Sequence, residues 1–252
     1  MGFETGSLTM LFSKPGSLEP LEPFMPFLAH FYTATGAVFG FLAVLAVTSG
    51  NFRLAFLWLF AAAIVDASDG WLARRLRVAE RIPAFNGAKL DDIIDYITYV
   101  FVPAYLLYRA DALPASAALP IVGVILIASL YGFCHEAAKT TDHFFTGFPS
   151  YWNIVAFYLY VLRWPAWVNA IVLLILCVLV FVRTTYLYPS RMPVLQTLTV
   201  LTGIVWGASL LWIVWRLPEP STSVATASLI FPLYYAALSL ILDRRRSRTL
   251  EP

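Results

Sequence analysis

The chain is short of charge. Only 13% of its 252 residues are Asp, Glu, Lys or Arg, 60% are hydrophobic, and the mean hydropathy is +0.75. A soluble domain of this length cannot hide so much apolar surface, so a soluble fold is excluded. A formal net charge of +2 gives no basis for a nucleic-acid partner. Cysteine is nearly absent. The two present, Cys134 and Cys177, fall in apolar stretches and read as small buried residues rather than a disulfide or a metal pair. The first thirty residues lack the basic segment, apolar run and small-residue cleavage site of a cleavable signal peptide. Internal repeats and low-complexity linkers are missing as well. A zinc-protease signature begins at His135-Glu136 but fails, because its fifth position is Lys139.

What the chain does have is apolar helices. Its pattern predicts an all-α, polytopic membrane protein of one domain, with about eight helices long enough to cross a bilayer. They are expected over 30–48, 53–75, 88–109, 115–138, 149–163, 166–186, 193–215 and 224–242. Residues 1–29 read as an interfacial segment. Leu18, Leu21, Phe24, Phe27 and Leu28 are spaced for one apolar face of a short helix lying on the membrane, punctuated by Pro15, Pro20, Pro23 and Pro26. The bundle then spans 30–242, and 243–252 form a basic tail.

The basic residues set an orientation. With the 76–87 loop inside, thirteen Lys and Arg residues are cytoplasmic, from Lys14 through Arg248. Only Arg53, Arg109, Arg163 and Arg216 are outside. Both termini are therefore expected in the cytoplasm.

One stretch stands apart from the apolar background: DASDGWLARRLRVAERIPAFNGAKLDDIID, Asp66 to Asp95. Asp66 and Asp69 lie three apart and share a helical face, with Gly70 and Ala73 leaving that face nearly bare and Arg74 following. Gly87, Asp91 and Asp95 are each four apart on the next helix. Carboxylates at membrane-helix ends are costly, and crowded ones repel unless a cation holds them. Only oxygen ligands are offered, which selects Mg²⁺ or Mn²⁺. Asp66, Asp69, Asp91 and Asp95 are the candidate ligands, enough for two such ions. Gly70, Ala73 and Gly87 lack bulk, so a ligand can approach the backbone, and Arg74 can form a charge-assisted pair with an anion. The alternative is that these are topology-setting charges at helix ends, which would impose no fixed spacing.

Written out, Asp66-x2-Asp69-Gly70-x2-Ala73-Arg74-x12-Gly87-x3-Asp91-x3-Asp95 resembles the signature of the CDP-alcohol phosphotransferases. These membrane enzymes transfer a phospho-group from a CDP-linked donor to an alcohol. The twelve residues between Arg74 and Gly87 exceed the eight or so of most members. That longer loop is similar to the bacterial phosphatidylcholine synthases, as are LAHFYTATGAVFGFLAV and KTTDHFFTGFPSYWNIVAFYLY. The resemblance implies metal ligation by Asp66, Asp69 and Asp91. It implies a catalytic Asp95 that takes the acceptor's proton and touches the second metal. It implies CDP binding by Asp66, Asp69, Gly70, Ala73, Arg74 and Gly87. It further implies CDP-diacylglycerol and choline as substrates, a bacterial inner membrane, and a homodimer. Asp92 falls outside the pattern.

For the choline site the residues leave two readings open. Phe144, Phe145, Phe148, Tyr151 and Trp152 crowd one short segment. They form either an aromatic belt at the interface or a cage binding a quaternary ammonium through cation–π attraction. Tyr151, Trp152 and Tyr186 are the candidate aromatics, and Glu136 either balances the cation or ends a helix. His30 and His143 read as solvated or interfacial. Serine, inositol or glycerol phosphate stay open as acceptors, though these want several converging basic groups. A metal-binding transporter would place its polar groups at mid-membrane depth, whereas these carboxylates gather at helix ends.

Overall fold

The computed structural model describes residues 24–135, 144–182, 184–187 and 195–250. The described chain is helical apart from one short ribbon. Helix α1 spans Phe24–Thr48, α2 Phe52–Arg75, α3 Val78–Arg81 and α4 Gly87–Asp95. A π-helical segment, Tyr96–Phe101, joins α4 to α5, Val102–Arg109. Then come α6 Ala118–Cys134, α7 Trp152–Leu162, α8 Ala166–Phe181, α9 Gln196–Trp215, α10 Thr222–Ser228 and α11 Ile230–Leu250.

Four helices are long and apolar enough to cross a membrane: Pro26–Thr48, Phe52–Arg75, Gln196–Trp215 and Thr222–Arg244, the last running through α10 into α11. Three more, α6, α7 and α8, are apolar but shorter. Large side chains on their outer faces stand exposed, Phe31 at 73%, Ile127 at 70% and Val205 at 71% among them. Helices apolar on the outside as well as the inside suit a lipid surround, and the fold is that of a membrane-associated protein.

The first helix starts earlier than the sequence suggests. Residues 24–29 continue directly into α1 and form no separate segment; residues 1–23 lie outside the described residues. Pro26 causes no break because it sits in the first turn, where a missing N–H costs nothing. At the other end, residues 243–250 extend α11 rather than forming a distinct tail. The sixth expected span stops at Phe181, short of Tyr186. Residues Thr185–Leu187 instead form strand β2, antiparallel to β1, Phe144–Thr146, with Phe145 opposite Tyr186. Two threonines followed by an aromatic favour extended backbone over helix.

The helix over 87–109 is continuous but not uniform. Pro103 has no N–H, and its ring crowds the carbonyl four residues back. The π segment widens the turn just ahead of it, so that the Val102 N–H reaches the Ile97 carbonyl, five residues back. Helix α1 packs along α2 and against α4, the π segment and α5. Small residues allow the approach. A Cβ on Gly36 would lie 2.6 Å from Ile94 Cγ2, and one on Gly40 2.9 Å from Ile97 Cγ2. Beneath this contact lies one continuous core. Val47, Ala55, Val100, Leu106, Leu107, Ile125, Trp152, Leu173 and Ile213 are all fully enclosed within it. The consequence is a rigid α1–α2–α4 corner that carries every aspartate of the motif.

Candidate functional site

Both halves of the motif lie at helix ends that meet in this corner. Helix α2 brings Asp66 and Asp69 in its second half, and its final turn carries Arg74 and Arg75. Helix α4 is started by Asn86, whose side chain accepts the Lys89 N–H at 3.0 Å. That cap fixes the rotation of a nine-residue helix presenting Gly87, Asp91 and Asp95 on one side.

The spacing on each helix becomes a cluster between them. Carboxylate oxygens of Asp66, Asp91 and Asp95 all lie within 4.8 Å of one another. Asp69 lines the same small cavity, together with Thr33 and Gly36 of α1 and Thr98 of the π segment. It is buried, and its neighbours are the Thr33 hydroxyl, the Gly70 N–H and the Arg74 guanidinium. Three ionised carboxylates this close repel by roughly 3 kcal/mol per pair at an effective dielectric near 20. A hard divalent cation removes that cost, and an all-oxygen donor set fits Mg²⁺ or Mn²⁺. The sequence-derived ligand set is thus brought together as three convergent aspartates with Asp69 alongside.

The bare positions divide. At Gly70 an added Cβ would lie 3.2 Å from Arg74 Nη1, so the guanidinium folds back over the glycine toward the aspartate face. At Gly87 an added Cβ would lie 2.7 Å from His30 Cε1. The ring of His30 stacks at 4.2 Å on Phe85, and its Nε2 is buried with no hydrogen-bond partner among the described residues. From the sequence His30 reads as solvated or interfacial; the structure puts it over a motif glycine. Arg75 turns away from the cluster, with its guanidinium 5.1 Å from the Trp71 ring.

Tyr99 was missed entirely from the sequence. Its hydroxyl donates to Asp66 Oδ2 at 2.7 Å. The available signal was its position four residues after Asp95, on the same helical face. A second tie, 2.8 Å between the Tyr32 hydroxyl and Ser68 Oγ, pins α1 to α2 at the same level.

The aromatic candidates separate. Tyr151, immediately before α7, is half-buried with its ring 6.1 Å from that of Tyr99, which places it next to the cluster. Trp152 is fully enclosed, its Nε1 donating to Ser129 Oγ at 2.7 Å and its ring edge-on to Phe148. Its indole is a core element and offers no free face. Tyr186 has its backbone in β2, and Glu136 and His143 lie outside the described residues.

Residues 27–183 match the family model described as CDP-alcohol phosphatidyltransferase. The chain belongs to this family. It is 42% identical over 190 residues to a phosphatidylcholine synthase of Pseudomonas aeruginosa, covering 75% of this chain and 80% of that protein. It is 36% identical over 237 residues to a phosphatidylcholine synthase of Legionella pneumophila, covering 88% and 92%. A third, from Borreliella burgdorferi, is 32% identical over 217 residues, covering 86% and 92%. The family match includes the carboxylate corner and β1, and it ends just after α8.

Proposed function

We propose that the protein transfers the phosphatidyl group of CDP-diacylglycerol to the hydroxyl of choline, giving phosphatidylcholine and CMP. The observation that carries this reading is the convergence of Asp66, Asp91 and Asp95 within 4.8 Å in a chain of this family. The names of its bacterial relatives support choline as acceptor.

The roles follow from position. Asp66, Asp69, Asp91 and Asp95 would hold two divalent ions, which when bound draw charge from the pyrophosphate and the departing CMP oxygen. Gly70 gives the Arg74 guanidinium room to fold over the α2 face, where it pairs with a donor phosphate, and the small Ala73 side chain leaves space for the nucleotide. Asp95, at the C-terminal end of α4, accepts the proton of the choline hydroxyl as that oxygen attacks phosphorus in line. Tyr151 supports the ammonium group, and Trp152 braces that segment from the core. The bundle crosses a bacterial inner membrane about eight times, with the three shorter helices and the composite 87–109 helix completing the count. The catalytic corner and both termini face the cytoplasm, where CMP is released, and the enzyme acts as a homodimer.

The test is an acceptor panel on purified protein with labelled CDP-diacylglycerol. Choline is expected to drive CMP release, whereas serine, inositol and glycerol phosphate leave it at background. Equal release with any of those three, or none with choline, overturns the assignment.

A further inference from the structure

Choline is a short molecule, and this constrains where its charged end can go. Two carbons separate the hydroxyl oxygen from the nitrogen, so the two lie closer together than one helical turn of roughly 5.4 Å. If Asp95 takes the hydroxyl proton, the ammonium site must lie within about one turn of Asp95.

Tyr99 meets that condition. It follows Asp95 by four residues in a continuous helix, which puts the two side chains on one face. An unbroken α-helix would advance the side chain by about 40° over four residues. The π segment Tyr96–Phe101 has wider turns, which offset that advance. The hydroxyl is anchored on Asp66 and deeply buried there, while the residue as a whole keeps some exposed surface. Tyr151 stands beside it, half-buried, with its plane tilted 49° to that of Tyr99. Two tilted tyrosine faces next to clustered carboxylates are a setting for a cation without N–H donors.

We propose that Tyr99 and Tyr151 together form the aromatic wall against which the acceptor's quaternary ammonium docks, with Tyr99 as the specificity-determining member. This rests on the choline-transfer reading. Trp152, the more obvious aromatic from the sequence, is excluded from the wall by its enclosure.

Substitution separates the ring of Tyr99 from its hydroxyl. Tyr99→Phe keeps the face and loses the bond to Asp66; Tyr99→Leu loses both. Choline KM, measured by CMP release from the purified full-length protein at saturating CDP-diacylglycerol, should rise roughly thirty-fold in Tyr99→Leu relative to Tyr99→Phe. The KM for CDP-diacylglycerol should be the same in both. Tetramethylammonium, which has the cation but no hydroxyl, should inhibit competitively with choline. Its inhibition constant should rise in parallel with the choline KM. If Tyr99→Leu does not fold, Tyr99→Met gives the same comparison with a side chain that fills the space flexibly. The neutral isostere 3,3-dimethylbutan-1-ol should lose its disadvantage against choline in the ring-less variant. Equal choline KM in the Phe and ring-less variants, with normal wild-type turnover, overturns this inference alone. Absence of choline-dependent CMP release by the wild type overturns the functional reading and the inference with it.

Discussion

His30 of α1 stands directly over Gly87 at the start of α4, at a distance that leaves no room for a Cβ: the position it would take is 2.7 Å from His30 Cε1. Gly87 has an ordinary helical backbone, so its need for glycine here comes from the neighbouring ring and not from φ. Phe85, its ring centroid 4.2 Å from that of His30, limits how freely His30 can shift. Gly87→Ala is therefore expected to destabilise the protein by about 1–3 kcal/mol through overpacking. The double variant Gly87→Ala/His30→Ala should recover most of that loss. Thermal unfolding of the four proteins in one detergent measures the coupling, and strictly additive effects would show that the contact does not matter.

The three convergent aspartates pull stability and activity in opposite directions. Removing one charge relieves repulsion in the metal-free protein but takes away a ligand. Asp66→Asn and Asp91→Asn are expected to lose more than about 100-fold in CMP release, at least the loss typical of disturbing a metal's surroundings. In excess chelator the same variants should melt at or above the wild-type temperature, and Asp92→Asn should retain activity. Wild-type enzyme should stop turning over in chelator and recover with Mg²⁺ or Mn²⁺. Full turnover without divalent ions would remove the metal from the reaction.

The aspartate corner was legible because its information is local. Spacings of three and four residues fix a shared helical face wherever the helix goes, and the flanking apolar runs fix that both segments are helices. Choosing between neighbours at a helix start was not legible. Tyr151 and Trp152 are one residue apart, about 100° around a helix, and only the packing of α7 decides which one enters the core. The π segment was hidden for a different reason. Pro103 lies inside the expected 88–109 helix, but a proline alone does not say whether the chain kinks or widens. The β1–β2 ribbon joins residues some forty apart in sequence through three-residue strands, too short to leave a periodic trace.

The basic residues around the corner predict the orientation in the membrane. Arg74 and Arg75 end α2, and Arg77, Arg81 and Lys89 follow before the second pair of aspartates. Reporter fusions near Arg81 and after Arg248 should both report the cytoplasm, and one at Asp111 the opposite side. A periplasmic signal at Arg81 would invert the arrangement and separate the carboxylates from cytosolic CMP.

Tyr151 and Trp152 should give opposite phenotypes when each is replaced by Leu. Trp152 is fully enclosed and its Nε1 donates to Ser129, which also accepts from the Ser150 hydroxyl at 3.3 Å. Trp152→Leu removes buried ring volume and one of the two bonds to Ser129, so a loss of about 2–4 kcal/mol in stability is expected. Its choline KM should stay within roughly threefold of wild type, because less than 1 kcal/mol of binding is involved. Tyr151→Leu deletes a half-buried face beside Tyr99 and no core volume of comparable size. It should melt near wild type while choline KM rises on the order of ten- to thirty-fold, the range of a partly to fully desolvated cation–π contact. Melting curves and choline titrations on both variants resolve the two roles. A large KM change in Trp152→Leu with unchanged stability would mean that the indole is reached by the acceptor, and that α7 turns during the reaction to expose it.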